Sequence, residues 1–338
     1  MRNLKPILTL TAVVLTLVSL TFGSVFLVYV NQAASNNKAE VMINVEPGMS
    51  LTQVANLLTT KKIIANSTTF RIYTYLKGKQ RDIQAGEYLL SPSLKPEVIL
   101  NKLTSGETVA HTITIPEGFR ILEIADLFAA AGLANRNRFI EATQDPELLK
   151  RLKIPTADLE GYLFPDTYQF RRQSGEKEIV RTMLSNFEKR LFKSKYIEQA
   201  KSLDMTFHEV ITLASLIEKE TGLPKERPLI SSVFHNRLKR KMLLQTDPTV
   251  IYALTGFDGN IRKKDLSIDS PYNTYVYKGL PPGPIASPGE SSVIAALNPA
   301  ISKALFFVSR QDGSHQFSTN LTDHNKAVVK YQLQPAKG

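Results

Sequence analysis

Two glutamates near the end of one predicted helix, Glu218 and Glu220, are the residues of this sequence best suited to acid–base chemistry. The helix is predicted to begin at a capping box, TFHE at 206–209, and to stop at Gly222. On a helical projection the two glutamates lie on opposite flanks of a polar stripe, at its border with apolar residues. A carboxyl group at such a border is partly desolvated, which raises its pKa and lets it hold a proton near neutral pH.

A carboxyl group that stays protonated is what a general acid for a glycosidic oxygen requires. The alternative is that both glutamates are ordinary charges near a helix end. Periodicity does not choose between Glu218 and Glu220, nor between catalysis and the simpler interpretation.

The segment after this helix supplies further polar residues. A second helix is predicted from about Lys225 to Lys241, and it leads into LLQTDPTVIYAL at 243–254. Asp247 followed by Pro248 is typical of a helix N-cap with proline at the first helical position. Gln245, Thr246 and Thr249 remain candidates for the lining of a sugar site.

Composition excludes several classes of function. The absence of cysteine rules out disulfides, thiolate metal sites and cysteine nucleophiles. The five histidines lack metal-ligand spacing, and phosphate loops and Gly-x-Ser-x-Gly are absent, so no metal or other cofactor is expected. His324 is interpreted as a structural hydrogen-bonding residue. The net charge of +11 comes from scattered lysine and arginine, which favours anionic lipid and an anionic wall polymer over nucleic acid.

The run from Ile7 to Val30 contains no charged residue and is long enough to cross a bilayer as a helix. Arg2 and Lys5 precede it, so residues 1–6 are predicted to be cytoplasmic and the body of the protein extracytoplasmic. The alternative is a cleaved signal peptide, but the apolar run is longer than a typical signal h-region. We therefore expect a single-pass anchor in the cytoplasmic (inner) membrane, followed by a polar tether at 31–40.

An internal repeat follows the tether. VEPGMSLTQVANLL at 45–58 and IPEGFRILEIADLF at 115–128 each predict a strand end, a glycine turn and an amphipathic helix. A second helical stretch, containing Phe70 or Phe139, and a closing strand such as 87–90 complete a small α+β module. The first unit resembles the LysM family of small wall-binding domains, and the alternative is that both lobes only space the protein from the membrane.

The predicted fold class is α+β. Its parts are a transmembrane helix at 7–30, a LysM-like repeat region at 41–150 and a larger mixed α+β catalytic domain at 151–338. The boundary is set near Lys150, where short motifs rich in glycine, proline, tyrosine and aspartate begin, because such loops tend to carry function.

The run ASLIEKETGLPKERPLISSVFHNRLKRKMLLQTDPTVIYAL at 214–254 resembles the signature of the MltG (YceG-like) endolytic murein transglycosylases. Four further segments occur in the order of that family: EGYLFPDTY at 160–168, SPYNTY at 270–275, GLPPGPIASPG at 279–289 and FSTNLTDHN at 317–325. The resemblance extends from the anchor to near the C-terminus and is most specific from Glu160 onward.

The resemblance implies a lytic transglycosylase that cuts the β-1,4 bond between N-acetylmuramic acid and N-acetylglucosamine within a peptidoglycan strand and leaves a 1,6-anhydromuramyl end. It implies Glu218, the first acidic residue of EKET, as the catalytic acid/base. Peptidoglycan synthases are the implied protein partners. The candidate substrate-binding residues are Gln245, Asp247, Tyr272, Asn273, Glu160, Tyr162, Tyr168 and Glu220.

One carboxyl group suffices for this reaction because the muramyl C6 hydroxyl is a tethered nucleophile of high effective molarity, so no second carboxylate has to activate water. Two alternatives stay open: a non-catalytic wall-binding scaffold, and a muramidase that hydrolyses the same bond. The EKET helix together with EGYLFPDTY favours an enzyme over a scaffold.

Overall fold

The structure, a computed structural model, describes residues 4–333, with side chains from Thr9 onward. Residues 1–3 of the predicted cytoplasmic segment, and the side chains of Arg2 and Lys5, lie outside the described residues. The chain divides into two compact units, Met1–His111 with Gln169–Gln173, and Thr112–Tyr168 with Ser174–Gly338.

The first unit is built around one antiparallel strand pair. Its elements are α1 (Leu4–Asn31), β1 (Val41–Val45), α2 (Leu51–Thr60), α3 (Ser67–Leu76), β2 (Gly86–Leu90) and α4 (Pro96–Ser105). β1 pairs with β2, with Ile43 opposite Tyr88. Ser50 begins α2 with a capping box, and Phe70 of α3 is fully buried. The strand–helix–helix–strand order predicted for the first repeat is thus present, and its LysM-like character stays a prediction.

Helix α1 is apolar and exposed along most of its length. Its segment Thr9–Asn31 has a mean hydropathy of 2.3, and within residues 4–333 it is the one helix long and apolar enough to cross a membrane. The last turns of α1 differ, because Phe26, Tyr29 and Val30 pack on the core of the first unit. The Tyr29 hydroxyl also donates to the Asn66 carbonyl at 3.0 Å.

The remaining elements follow in chain order. They are β3 (Ala110–Thr114), α5 (Ile121–Ala130), α6 (Arg136–Thr143), α7 (Pro146–Leu152), β4 (Thr167–Arg171), α8 (Gly175–Leu191), α9 (Ser194–Ser202), α10 (Phe207–Glu220), α11 (Arg227–Lys239), α12 (Asp247–Ala253), α13 (Glu290–Leu297), β5 (Phe306–Ser309), β6 (His315–Ser318) and α14 (Leu321–Val328). Short 3₁₀ turns cover Pro224–Glu226 and Asp265–Ser267, and a π turn covers Val329–Leu333. β3 pairs with β4, and β5 pairs with β6.

The second repeat has the same element order as the first. β3, α5, α6 and β4 correspond to β1, α2, α3 and β2, and Phe139 is fully buried against Phe128 at 5.3 Å between ring centroids. Gly48 and Gly118 occupy equivalent turns with φ of +85° and +78°, a conformation that favours glycine. The boundary predicted near Lys150 does not coincide with the division of the structure, because α6 packs against α8 and most of the second repeat belongs to the second unit.

Helix α10 is the core helix of the second unit. Its capping box is formed by Thr206 and Glu209, as the sequence predicts, and every residue from 210 to 217 is buried. The helix ends at Glu220, and Thr221 is already extended. It packs against α9, α11 and α13, so its last turn brings Glu218 and Glu220 to the surface of a well-packed core.

One local prediction is wrong by a residue. The N-cap of α12 is Thr246, and Asp247 and Pro248 are the first two helical residues. Asp247 does not cap the helix, because its Oδ1 accepts a hydrogen bond from the Tyr275 hydroxyl at 2.5 Å.

Candidate active site

Glu220 lines a cavity of about 500 Å³ in the second unit. Its other walls come from the segment before α12, from β5, from the start of β6 and from α14. Gln245 and Asp247, two of the predicted substrate-binding residues, also line it. An acidic side chain and two predicted polar neighbours therefore meet in one open space of sugar-sized dimensions.

The surroundings of the Glu220 carboxyl group bring its pKa close to neutrality. Burial raises its pKa to about 7, and the charge of Asp247 acts in the same direction. A hydrogen bond from the Thr246 hydroxyl to Oε1 and the positive charge of Arg237 oppose that rise. The group is therefore partly protonated at neutral pH, as a general acid that later acts as a base requires.

Arg237 fixes two walls of the cavity. Its guanidinium donates to the carbonyl of Leu305, just before β5, at 2.6 Å and to that of Leu244 at 2.7 Å. Its positive charge also helps to stabilise the ionised form of Glu220. The Arg237 side chain is almost fully buried, and its hydrogen bonds connect α11 to both of these walls.

The segment before α12 has an unusual backbone. Gln245 adopts a φ of +48°, which is uncommon for a residue other than glycine. Its N–H donates to the Thr274 carbonyl at 3.1 Å, and the Thr246 N–H donates to the Thr274 hydroxyl at 3.1 Å. Strained residues held in this way cluster at functional sites.

Glu218 has different partners. Its Oε1 accepts from Arg227 Nη2 at 3.0 Å, and its Oε2 accepts from the Gly289 N–H at 2.9 Å. Both charged side chains are almost fully buried. Gly289 is the N-cap of α13, so Glu218 joins the last turn of α10 to the start of α13.

The loop GLPPGPIASPG is clamped on α10 around Glu218. The Ile285 N–H donates to Ser215 Oγ at 3.0 Å, and the Ser287 N–H donates to the Phe119 carbonyl at 2.8 Å. A Cβ on Gly289 would lie 1.9 Å from a carboxylate oxygen of Glu117, so a side chain at this position would displace that carboxylate. Arg227 also lies 3.5 Å from Glu117, whose pKa is raised by burial and by the charge of Glu218.

The predicted residues of EGYLFPDTY form hydrogen bonds within the protein. Glu160 is buried, accepts from the Ile121 N–H at 3.1 Å at the start of α5, and has its pKa raised to about 8 by burial. The Tyr162 hydroxyl lies 2.7 Å from His208 Nδ1, and the Tyr168 hydroxyl donates to the Phe164 carbonyl at 2.6 Å.

The predicted residues of SPYNTY also make internal contacts. Tyr272 packs against Tyr252 with 4.7 Å between ring centroids. Asn273 is fully buried, and its amide donates to the Ile268 carbonyl at 2.8 Å. Neither residue is among those that line the described cavity beside Glu220.

Sequence reasoning did not select three further residues that line the cavity, Tyr275, His315 and His324. Tyr275 and His324 stand in motifs that the resemblance had marked, so the motifs themselves were the available signal. His324 is predicted to form structural hydrogen bonds, but its buried Nδ1 has no hydrogen-bond partner in the described part of the chain. No cluster of three or more metal-ligating side chains occurs in that part either.

Comparison with known proteins identifies the family of this chain. The family model described as the YceG-like family matches residues 43–330. An endolytic murein transglycosylase of Bacillus subtilis (strain 168) is 37% identical over 312 residues, which cover 88% of this chain and 86% of that protein. An endolytic murein transglycosylase of Streptococcus pneumoniae (serotype 2, strain D39) is 32% identical over 88% of this chain, which spans 59% of that relative.

A solved structure supports the same relationship. The crystal structure of a YceG-like protein from Listeria monocytogenes superposes with a TM-score of 0.59 and 35% sequence identity, covering 85% of this chain and 98% of that one. Fold and site together define a mixed α+β protein with a buried acid in an open cavity. The chain belongs to the YceG-like family.

Proposed function

We propose that this protein is an endolytic murein transglycosylase, which cuts the β-1,4 bond between N-acetylmuramic acid and N-acetylglucosamine inside a glycan strand. The observation that carries the proposal is Glu220, whose pKa is raised to about 7 in a cavity of about 500 Å³. The names of the relatives from B. subtilis and S. pneumoniae support the same activity.

The reaction needs one group that first gives and then takes a proton. The protonated carboxyl group donates to the glycosidic oxygen as the bond to the muramyl C1 breaks. The muramyl C6 hydroxyl attacks C1, and its proton returns to the carboxylate. The product is a 1,6-anhydromuramyl end, and no water is consumed because the nucleophile is already tethered to the reacting sugar.

The geometry favours Glu220 over Glu218 as this group. The resemblance to the MltG (YceG-like) family implies Glu218, the first acidic residue of EKET, as the acid/base, and that assignment remains a prediction. Glu218 is engaged by the buried guanidinium of Arg227 and by the Gly289 N–H, whereas Glu220 borders open space. We therefore assign the acid/base role to Glu220 and a role in holding the loop before α13 to Glu218.

Gln245 and Asp247 are proposed to contact the sugar, since both line the cavity beside Glu220. The other predicted substrate residues are proposed to act indirectly, by fixing the loops and helices that shape the second unit. Those residues are Glu160, Tyr162, Tyr168, Tyr272 and Asn273.

The proposal is tested by digesting uncross-linked glycan strands with the wild type and with Glu220→Gln and Glu218→Gln. Glu220→Gln is expected to lose at least about 10³-fold in kcat, because the amide cannot transfer a proton. Glu218→Gln should keep measurable kcat but unfold at a lower temperature, because a buried Arg227 loses its partner.

Mass spectrometry of the products identifies the reaction. Anhydromuramyl ends support transglycosylation, and reducing muramic acid ends would instead identify a muramidase. An active Glu220→Gln beside a folded, inactive Glu218→Gln would return the acid/base role to Glu218. The absence of any cleavage by the wild type would favour a scaffold protein.

The setting of the reaction is part of the proposal. Helix α1 is proposed to anchor the chain in the cytoplasmic membrane, with the second unit acting on the extracytoplasmic side, near nascent glycan. The first unit is proposed to hold glycan in a LysM-like manner, and peptidoglycan synthases are the proposed protein partners. These statements are supported by the apolar segment Thr9–Asn31 and by family resemblance.

A further inference from the structure

His315 lines the same cavity as Glu220, and a buried carboxylate holds its ring. The Nδ1 atom lies 2.7 Å from Glu226 Oε2, and the backbone N–H of His315 donates to Glu226 Oε1 at 3.0 Å. The side chains of His315 and Glu226 are 12% and 9% exposed. One carboxylate thus fixes both the position and the plane of the ring.

This contact determines which ring nitrogen faces a ligand. A carboxylate oxygen accepts, so Nδ1 carries the hydrogen of this bond and Nε2 is the ring nitrogen left to contact a ligand. No group in the described residues forms a hydrogen bond with Nε2. The ring of Phe307 contacts the imidazole edge-to-face at 5.5 Å between centroids, which further limits its rotation.

Glu226 is tied to the proposed acid by a short piece of chain. It ends the 3₁₀ turn Pro224–Glu226, which is separated from the end of α10 by three residues. Glu226, which orients His315, is therefore only six positions after Glu220 in the chain. The contact between Glu226 and His315 therefore connects β6 to the chain segment just after the proposed proton donor, Glu220.

A second histidine in the cavity points to the same kind of ligand. His324 stacks on Phe306 with 5.1 Å between ring centroids, and its buried Nδ1 has no hydrogen-bond partner within residues 4–333. Buried polar atoms in native proteins are usually paired, so an unpaired one beside a cavity indicates a polar ligand. Burial and Arg237 lower the pKa of His324, which keeps its ring neutral.

We propose that His315 is a glycan-binding residue whose Nε2 forms a hydrogen bond with a hydroxyl or amide group of the bound sugar. Glu226 is a positioning residue that acts through the ring. The inference rests on the proposed function in taking the ligand of this cavity to be peptidoglycan glycan.

The test is His315→Asn, whose side-chain amide lies near the position of Nδ1 and keeps the bond to Glu226, while Nε2 is lost. With uncross-linked glycan strands as substrate, KM is expected to rise about three- to tenfold and kcat to stay within about twofold, as for the loss of one neutral hydrogen bond. Glu226→Gln should raise KM in the same direction.

The matched control is His111→Gln in the first unit. His111 Nε2 lies 2.5 Å from Glu87 Oε2, so this residue also forms a histidine–glutamate pair, and the Gln amide stays near that oxygen. KM and kcat should remain at wild-type values. A further test variant, His324→Phe, keeps the stack on Phe306 and removes both nitrogens, and it should also raise KM.

The outcomes separate the inference from the function on which it rests. Binding of the same strands is measured with Glu220→Gln and with Glu220→Gln/His315→Asn. Equal affinity of the two proteins, or an unchanged KM of His315→Asn, would overturn the role of His315 while leaving the activity intact. A wild type that neither cleaves nor binds glycan would overturn the proposed function itself. If His315→Asn lowers the unfolding temperature but leaves KM unchanged, His315 has a structural role and does not bind glycan.

Discussion

Glu218 and Glu220 carry the same functional group, but their surroundings give them different properties. Glu218 meets a buried guanidinium and a helix N-terminal N–H, which satisfy its carboxylate within the protein. Glu220 meets one hydroxyl group and a cavity, and burial raises its pKa to about 7. A group that can change its protonation state during a reaction must be accessible to substrate and close to neutrality, and Glu220 meets both conditions.

The pH dependence of the reaction follows from this assignment. The general acid must be protonated, so kcat/KM is expected to fall as the pH rises through the pKa of Glu220, about 7. Thr246→Val removes the hydroxyl group whose hydrogen bond lowers that pKa, so the alkaline limb should move to higher pH. At pH 8.5 the variant should retain a larger fraction of its own maximal rate than the wild type does.

The measurement is a kcat/KM profile between about pH 5 and pH 9 with Thr246→Ser as the control, since serine keeps the hydroxyl group. A limb that moves to lower pH in Thr246→Val, or one that is identical in all three proteins, would count against Glu220 as the titrating acid. Thr246 makes no side-chain cap on α12, so the substitution removes no helix-capping bond.

At the scale of elements, α10 determines how rigidly the acid is held. Its capping box closes one end, and eight consecutive buried residues hold the middle, so the last turn has little freedom to move. The turn at 224–226 then reaches β6 through Glu226, and the loop before α13 reaches back to Glu218. Two sets of contacts therefore connect the end of α10 to the rest of the second unit, one to β6 through Glu226 and one to the loop before α13 through Glu218.

Thr206→Ala tests the contribution of the capping box. The substitution removes the acceptor for the Glu209 N–H, and the free energy of unfolding is expected to fall by about 1 kcal/mol. Activity at a temperature well below unfolding should be unchanged, because the cap lies at the end of α10 opposite to Glu220. Thermal and urea denaturation measure the change, and Thr206→Ser should recover most of it. A large loss of kcat in a stable Thr206→Ala protein would contradict this separation.

At the scale of the whole molecule, α1 combines two roles along its length. The apolar part is exposed and suited to lipid, and the last turns belong to the core of the first unit through Phe26, Tyr29 and Val30. No long free segment of the described chain therefore lies between the proposed membrane helix and the core of the first unit. The polar residues 31–40 follow a helix whose end is already packed.

Removal of residues 1–24 tests the anchor without disturbing that core. The truncated protein keeps Phe26, Tyr29 and Val30, so it should fold, leave the membrane fraction and cleave isolated glycan strands with a kcat within about twofold of the full chain. Membrane fractionation and a glycan digest are the measurements, with an unrelated apolar helix in place of 7–24 as the control. Retention of the truncated protein in washed membranes would show that another part of the chain binds the membrane.

The sequence by itself determined the local features. Periodicity and capping residues predicted α10, the apolar run predicted α1, and the two glycine turns predicted a repeated strand–helix–helix order, because these features depend on neighbouring residues. The motifs also determined the family. Residues two positions apart on an α-helix are separated by about 200° of rotation, so EKET directs its two carboxyl groups to different sides of the helix.

Only the tertiary structure decided which of those sides is open. Arg227 and Gly289 close the side of Glu218, and β5, β6 and α14 form a cavity on the side of Glu220, although most of these elements lie 70 or more residues further along the chain. The electrostatics of a carboxyl group depend on what surrounds it in space, and helix periodicity carries no information about such distant partners. For the same reason His315 and Glu226 became visible as a pair only in the folded chain.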